Sequence, residues 1–549
     1  MRKRLLLGIV VFGMVFPFVT WGLTAGEASA ASKNVFRVAW VESSQPGMNP
    51  FNVKAGTEFA WNSLIYEPLW IPKFRGGVEP WLAKTWEYDK GKKTWTVHLD
   101  DRAKWHDGLP VTAEDVKFTF EVAFKYNLDA GSKIEPFVQS IQVMDDHTLK
   151  FIMKEDYANF FWGASGAFIV PKHIWSKVGD VGKFVNSNPV GSGPFVFKEY
   201  KPERYLYVVK NKNYWQGPVH VDGVLYKVYT NTEAKFMALQ RGDVDAVEEI
   251  RGTFSIIPIL EKNPNIKVVV AQGSFSTHLL PNHRRYPLNL KEVRHAISLA
   301  VDRKEIIEVG MSGYADPPLM GFLPPLYAKY ANKKLTWPGM NMTAEERYAK
   351  ANAILDSLGF RRGRDGIRVT DRGRFKVRLR QPNWPSFVRT AQIMKENMRE
   401  IGIEAEVLPS DPHTVYHGII YNPKRTQDWE FLGPHNSTVK GLEYYTTEWG
   451  PETDSHWMNA NACGWKNEEA QALLRKIRRE MDEGKRVQMM MKAQEMFAEE
   501  LPTITLCHKN MLYAYRTDKF AGWDTEMVVY GNMYYPVASL LNLTSLRPK

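Results

Sequence analysis

Residues 91–120, GKKTWTVHLDDRAKWHDGLPVTAEDVKFTF, change their apolar period from two to nearly four over a short span. Thr94, Thr96 and His98 alternate with Trp95, Val97 and Leu99, the pattern of a strand with two unlike faces. A tight polar turn follows at His106-Asp107-Gly108, and Thr112 then stands three residues before Asp115, the spacing of a helix-opening capping box. A chain that sets strand and helix side by side in this way is mixed α/β, and the device recurs. Asn289 and Glu292 precede Val293, Ala296, Ile297 and Ala300, which share one helical face. Thr343 and Glu346 precede Tyr348, Ala351, Leu355 and Leu358, with Gly359 placed to end the helix. A further helix is expected from about Val388 to Ile401, closed by Gly402 and leading into the alternating IEAEVLP.

The N-terminus reads as an address. Arg2, Lys3 and Arg4 precede the apolar run Leu5–Val19, and Ala28-Ser29-Ala30 supplies a small-residue cleavage site. This is the layout of a secretory signal peptide over 1–30, cut after Ala30; the alternative is a retained anchor, since the apolar run is just long enough to span a bilayer. No cysteine lies near the cut, which argues against a lipid anchor. The remaining chain of roughly 520 residues suits two or three domains rather than one core. The only cysteines are Cys463 and Cys507. An oxidising compartment permits one bond between them, but the sequence does not place them. A metal site built on Cys507 and His508 is disfavoured, because neighbouring side chains diverge and no second ligand pair supports them.

A formal charge of +11 raises the question of nucleic acid. Much of the charge lies in RRGRDGIRVTDRGRFKVRLR, residues 361–380, where Phe375, Val377 and Leu379 alternate with Lys376, Arg378 and Arg380. An exposed hairpin and a half-buried strand account for it, so no nucleic-acid partner is expected. Catalysis finds no better support. His106 and Asp107 have no local nucleophile or bound water to act on, and the G-x-S-x-G elbow, the H-E-x-x-H helix and the Walker loop are all missing. The glycines of NPVGSGPFVF lead into a strand rather than cradle a phosphate. No catalytic residue, metal or cofactor is expected, and the chain is read as not an enzyme.

The ordered set of segments is more specific than any one of them. LAKTWEYDKGKKTWTVHL followed by WHDGLPVTAEDVKFTFE, then VGSGPFVFKEYKPERYLYVVKNKNYW, AKFMALQRGDVDAVE, VRHAISLAVDRKEII, ANAILDSLGF, MKENMREIGIEAEV, GWKNEEAQALLRKI and QEMFAEELPTITL run in that order between about residues 35 and 520. Together they resemble the peptide-type family, family 5, of extracellular solute-binding proteins that serve ABC importers. The resemblance implies an α/β, two-lobed periplasmic-binding-protein-like fold with an additional subdomain inserted in the first lobe. It places lobe one at 32–78, 190–288 and 518–549, the inserted subdomain at 79–189, and lobe two at 289–517. It also implies a monomer in the periplasm or on the outer face of the cell membrane, closing over a solute and delivering it to a membrane permease.

The family's members take oligopeptides, dipeptides, some oligosaccharides and, in one branch, nickel complexes. In its peptide binders an Asp-Tyr pair shortly before an N-x-x-G-[YW] segment holds the ligand's amino terminus. Here that segment is Asn461-Ala462-Cys463-Gly464-Trp465, and upstream of it Asp454 stands without a following tyrosine. This departure weakens an amino-terminal clamp. The 18 tryptophans press toward sugars instead, because an indole face suits the C–H face of a sugar ring. Most of them serve packing in a chain of this size. Trp61, Trp384, Trp429, Trp449, Trp457 and Trp465, with Asp454 and Asn461, are the expected ligand-facing residues. An oligopeptide is the first reading of the solute and a β-linked di- or oligosaccharide, such as a cello- or manno-oligosaccharide, the alternative.

Overall fold

The computed structural model describes residues 34–40, 48–52, 56–72, 77–128, 131, 133–247, 250, 252–319, 323, 328, 330–411, 414–415, 431–438, 463–523 and 545–549. Its framework is an eleven-stranded mixed sheet. From one edge the order is Glu404–Ser410, Lys376–Pro382, Phe431–Thr438, Ile266–Pro281, Ile504–Arg516, Ala246–Val247, Val35–Trp40, Gly223–Val228, Tyr205–Lys210 and Phe195–Lys201, with Ala315–Asp316 also pairing Ile504–Arg516. Two long antiparallel strands at the centre, Ile266–Pro281 and Ile504–Arg516, belong to both halves of the sheet. Near one end Ala514 and Tyr515 pair Val247 and Ala246; near the other, Phe275 to Pro281 pair Thr438 to Phe431. Their mutual register breaks between Ala271 and Phe275, and again between Thr277 and His278.

Apart from this sheet stands a four-stranded antiparallel one in the order Ala83–Asp89, Thr94–Leu99, Thr148–Met153 and Val138–Asp145. It has its own aromatic core, in which Trp95 stacks on Phe160 at 5.3 Å and Trp70 meets Phe161 edge-on. The helix Ala113–Tyr126 packs on it, and Asp115 explains how. One carboxylate oxygen accepts from the Thr112 amide at 2.8 Å, satisfying an orphan donor of the first turn, while the other accepts from the Lys172 amide at 2.8 Å. The His106-Asp107 turn is likewise scaffold. His106 accepts from the Gly191 amide at Nδ1 and donates from Nε2 to the Gly193 carbonyl at 3.0 Å. Both glycines press so closely on the backbone at Leu64 and Ile65 that a side chain at Gly191 would run into the Ile65 carbonyl.

Other local expectations divide. Thr343 and Glu346 form the capping box of the helix Ala344–Ser357, and Gly359 and Gly402 take the left-handed conformation with φ +78° and +81°. Asn289 does not cap: the helix Lys291–Ala300 starts after Leu290 without a side-chain cap. Arg294 is the reason. It reaches back to the Leu288 and Asn289 carbonyls at 2.9 Å each and also binds the Leu501 carbonyl, so a buried guanidinium fixes the entry that Asn289 was expected to fix. The helix expected from Val388 begins earlier, as Pro385–Glu400, because proline suits the first helical position, where no N–H is needed. Cys463 and Cys507 are both buried and free, so the permitted disulfide does not form.

Candidate functional site

The two halves of the sheet meet along the central strands, which are lined with buried polar residues: Ser276, Thr277, His278, Thr505, His508 and Lys509. The Ser276–His508 pair, 2.7 Å from Oγ to Nδ1, has the look of a nucleophile and its base. Its geometry gives a different assignment. The Leu319 amide donates to Nε2 at 3.2 Å, so the imidazole proton sits on Nδ1 and is given to the serine oxygen. Burial lowers the His508 pKa to about 3, and the ring stays neutral. A base whose free nitrogen is already occupied by an amide does not take a serine proton. Burial raises the Cys507 thiol to about 12, which rules out a thiolate nucleophile.

Beside these strands lies the unit Lys376–Pro382, Pro385–Glu400, Glu404–Ser410, whose two strands are parallel. Phe431–Thr438 also pairs parallel to Lys376–Pro382, through Leu379 and Arg380. The carboxyl ends of such strands are where open α/β sheets take ligands. Trp384 stands at that end as the N-cap residue of the helix and packs against Phe387 at 5.1 Å. From a distant part of the chain Gly252, with φ +66°, comes against the same turn; a Cβ there would lie 2.9 Å from Ser386 Oγ.

Of the residues expected to face ligand, Trp384 alone is placed here, and it is half-buried. Trp61 is 1% exposed and lies among Tyr200 and Tyr226 in a core of the other half of the sheet. Trp465 is 1% exposed and packs on Phe497, beneath the helix Glu468–Arg479 that Asn467 caps. The neighbouring Gly464 has φ +73°, and a side chain there would strike the Arg284 guanidinium. Trp429, Trp449, Asp454, Trp457 and Asn461 lie outside the described residues.

Two polar side chains went unnoticed in the sequence. Glu67 is fully buried, and its carboxylate accepts from Trp81 Nε1 at 2.8 Å, Tyr214 Oη at 2.7 Å and Trp215 Nε1 at 2.9 Å. Burial outweighs these bonds and raises its pKa to about 7. Arg102 lies over the Trp215 ring at 5.5 Å. The Tyr-Trp that ends VVKNKNYW therefore has a task, tying three separate segments to one carboxylate. Gln381, at the carboxyl end of Lys376–Pro382, is also fully buried, and neither of its amide atoms has a hydrogen-bond partner among the described residues.

The fold is that of two-lobed periplasmic binding proteins. It superposes with a TM-score of 0.78 on a mannohexaose-bound oligopeptide ABC transporter binding protein from Thermotoga maritima, at 23% identity, covering 94% of this chain and 99% of that one. The oligopeptide-binding protein AppA from Bacillus subtilis, in complex with a nonapeptide, superposes with a TM-score of 0.76 at 22% identity over 94% and 98% of the two chains. In sequence, the di/tripeptide-binding protein 1 of Pseudomonas aeruginosa (strain UCBPP-PA14) is 25% identical over 541 residues, 90% of this chain and 93% of its own. Residues 77–453 match the family model "Bacterial extracellular solute-binding proteins, family 5 Middle". The chain belongs to that family of bacterial extracellular solute-binding proteins.

Proposed function

We propose that this protein is the solute-receiving component of an ABC importer, that it binds a short peptide between its two lobes, and that it hands the peptide to a membrane permease. The observation that carries the reading is similarity along nearly the whole chain to a di/tripeptide-binding protein. The lobes are taken as 32–78, 190–288 and 518–549 against 289–517, with 79–189 inserted in the first. The protein acts as a monomer outside the cytoplasmic membrane after loss of residues 1–30; among the described residues no helix is long and apolar enough to cross a membrane. Contacts from both lobes favour the closed form, and no bond is made or broken. Trp384 lies at the carboxyl end of a strand flanked by parallel neighbours, which supports its place at the ligand face. Trp449, Trp457, Asp454 and Asn461 are proposed to join it. The mannohexaose bound by a protein of the same fold favours the second reading, an oligosaccharide.

Mass spectrometry of solute retained through purification tests the reading directly, followed by calorimetry with a di- and tripeptide library and with manno- and cello-oligosaccharides. Peptide recovered and rebound supports the proposal. Saccharide recovered with no peptide binding replaces it with the alternative, and turnover of either solute by the purified protein overturns both.

A further inference from the structure

Lys376–Pro382 buries Val377, Leu379 and Gln381 on one face. The first two pack in the core with Phe387, Ala391 and Met394 of the following helix, so Gln381 extends their row toward that helix's first turn. Other buried side chains, Trp61 and Trp95 among them, leave one nitrogen unbonded; Gln381 leaves both ends of its amide unbonded. Enclosing a carboxamide in this way is strongly unfavourable unless a partner arrives.

The first turn above it is short of partners of its own. Trp384 provides no side-chain cap, Pro385 has no N–H, and the Phe387 and Val388 amides both turn back to the Trp384 carbonyl. Ser386, 3% exposed, is left with the one first-turn amide not spent within the turn. Gly252 closes over it from another segment.

We propose that Gln381 and the Ser386 amide form a binding point for one peptide group of the solute; this rests on the peptide reading above. A peptide unit carries the complement of both groups. Its carbonyl oxygen accepts from Gln381 Nε2–H and from the Ser386 N–H, while its own N–H donates to Gln381 Oε1. When the lobes part, water solvates the carboxamide. Closure without ligand strips that water and leaves both ends unpaired, whereas closure on a peptide restores the bonds. Gln381 thereby penalises empty closure and rewards closure on an amide, adding selectivity to affinity.

The test is Gln381→Leu, with Gln381→Met as a second apolar replacement in case the first does not fold. Each is assayed by calorimetry with the di- and tripeptide library and by thermal unfolding of the ligand-free protein. The expected result is peptide affinity weakened about ten- to hundredfold, with the melting temperature of the free protein unchanged or raised. Wild-type peptide binding that persists undiminished in the variants overturns the inference and leaves the proposed function standing. A wild-type protein that ignores every peptide overturns both. Weaker binding together with a lowered melting temperature marks Gln381 as packing and also overturns the inference.

Discussion

Glu67 and Gln381 are both fully buried polar side chains in the same protein, and their surroundings are opposite. Three donors from three segments converge on the Glu67 carboxylate, while the Gln381 carboxamide meets none. A buried polar group with all its partners joins segments and fixes their geometry. One without partners weakens the fold until something binds it. The contrast separates scaffold from site more sharply than exposure or aromatic content does.

The largest expected effect comes from breaking the satisfied member. Glu67→Ala leaves two indoles and a phenol buried without their acceptor and should lower unfolding free energy by about 4 kcal/mol in denaturant titration. A loss below about 1 kcal/mol would show that water replaces the carboxylate and that the junction is not tight.

The next effect is in pH. Glu67 has its pKa raised from 4.5 to about 7 by burial, so between those values the folded chain holds a proton that the unfolded chain has released. Its contribution is fully present below about pH 4.5 and is lost as pH rises toward 7, by on the order of 3 kcal/mol. Glu67→Gln should flatten that decline in stability measured against pH; an unchanged profile would mean that another group controls it. Trp81→Phe, which deletes one donor of the set, should cost about 1 kcal/mol. The smallest change belongs to the unsatisfied member: Gln381→Leu should stabilise the ligand-free protein by about 1 kcal/mol. Destabilisation there would remove the contrast between the two residues.

Much of the fold was legible because its signals are local. Thr343 and Glu346 need only each other and a turn of backbone, and the alternation of Phe375, Val377 and Leu379 with charged residues needs only a wet side and a dry side. Asn289 and Glu292 had the same spacing, but Arg294 binds the carbonyls of that entry and the end of a distant helix, which no local pattern reports. The site was less legible for the same reason. Trp61 and Trp465 looked like ligand platforms by residue type, yet their neighbours Tyr226 and Phe497 come from remote positions and bury them. Gln381 carries no sequence signal beyond a polar residue at an apolar position of an alternating strand. Its meaning depends on which partners fail to arrive.

The central strands set a timing problem during synthesis. His278 and Thr505 face each other across 227 positions of sequence. At ordinary elongation rates of about 5–20 residues per second, Ile266–Pro281 leaves the ribosome roughly 10–45 seconds before the strand that pairs with it exists. Throughout that interval a valine-rich edge, Val268 to Val270, is an open template for other chains. The nascent polypeptide therefore depends on a chaperone or on export machinery to cover that edge until its own partner has been made.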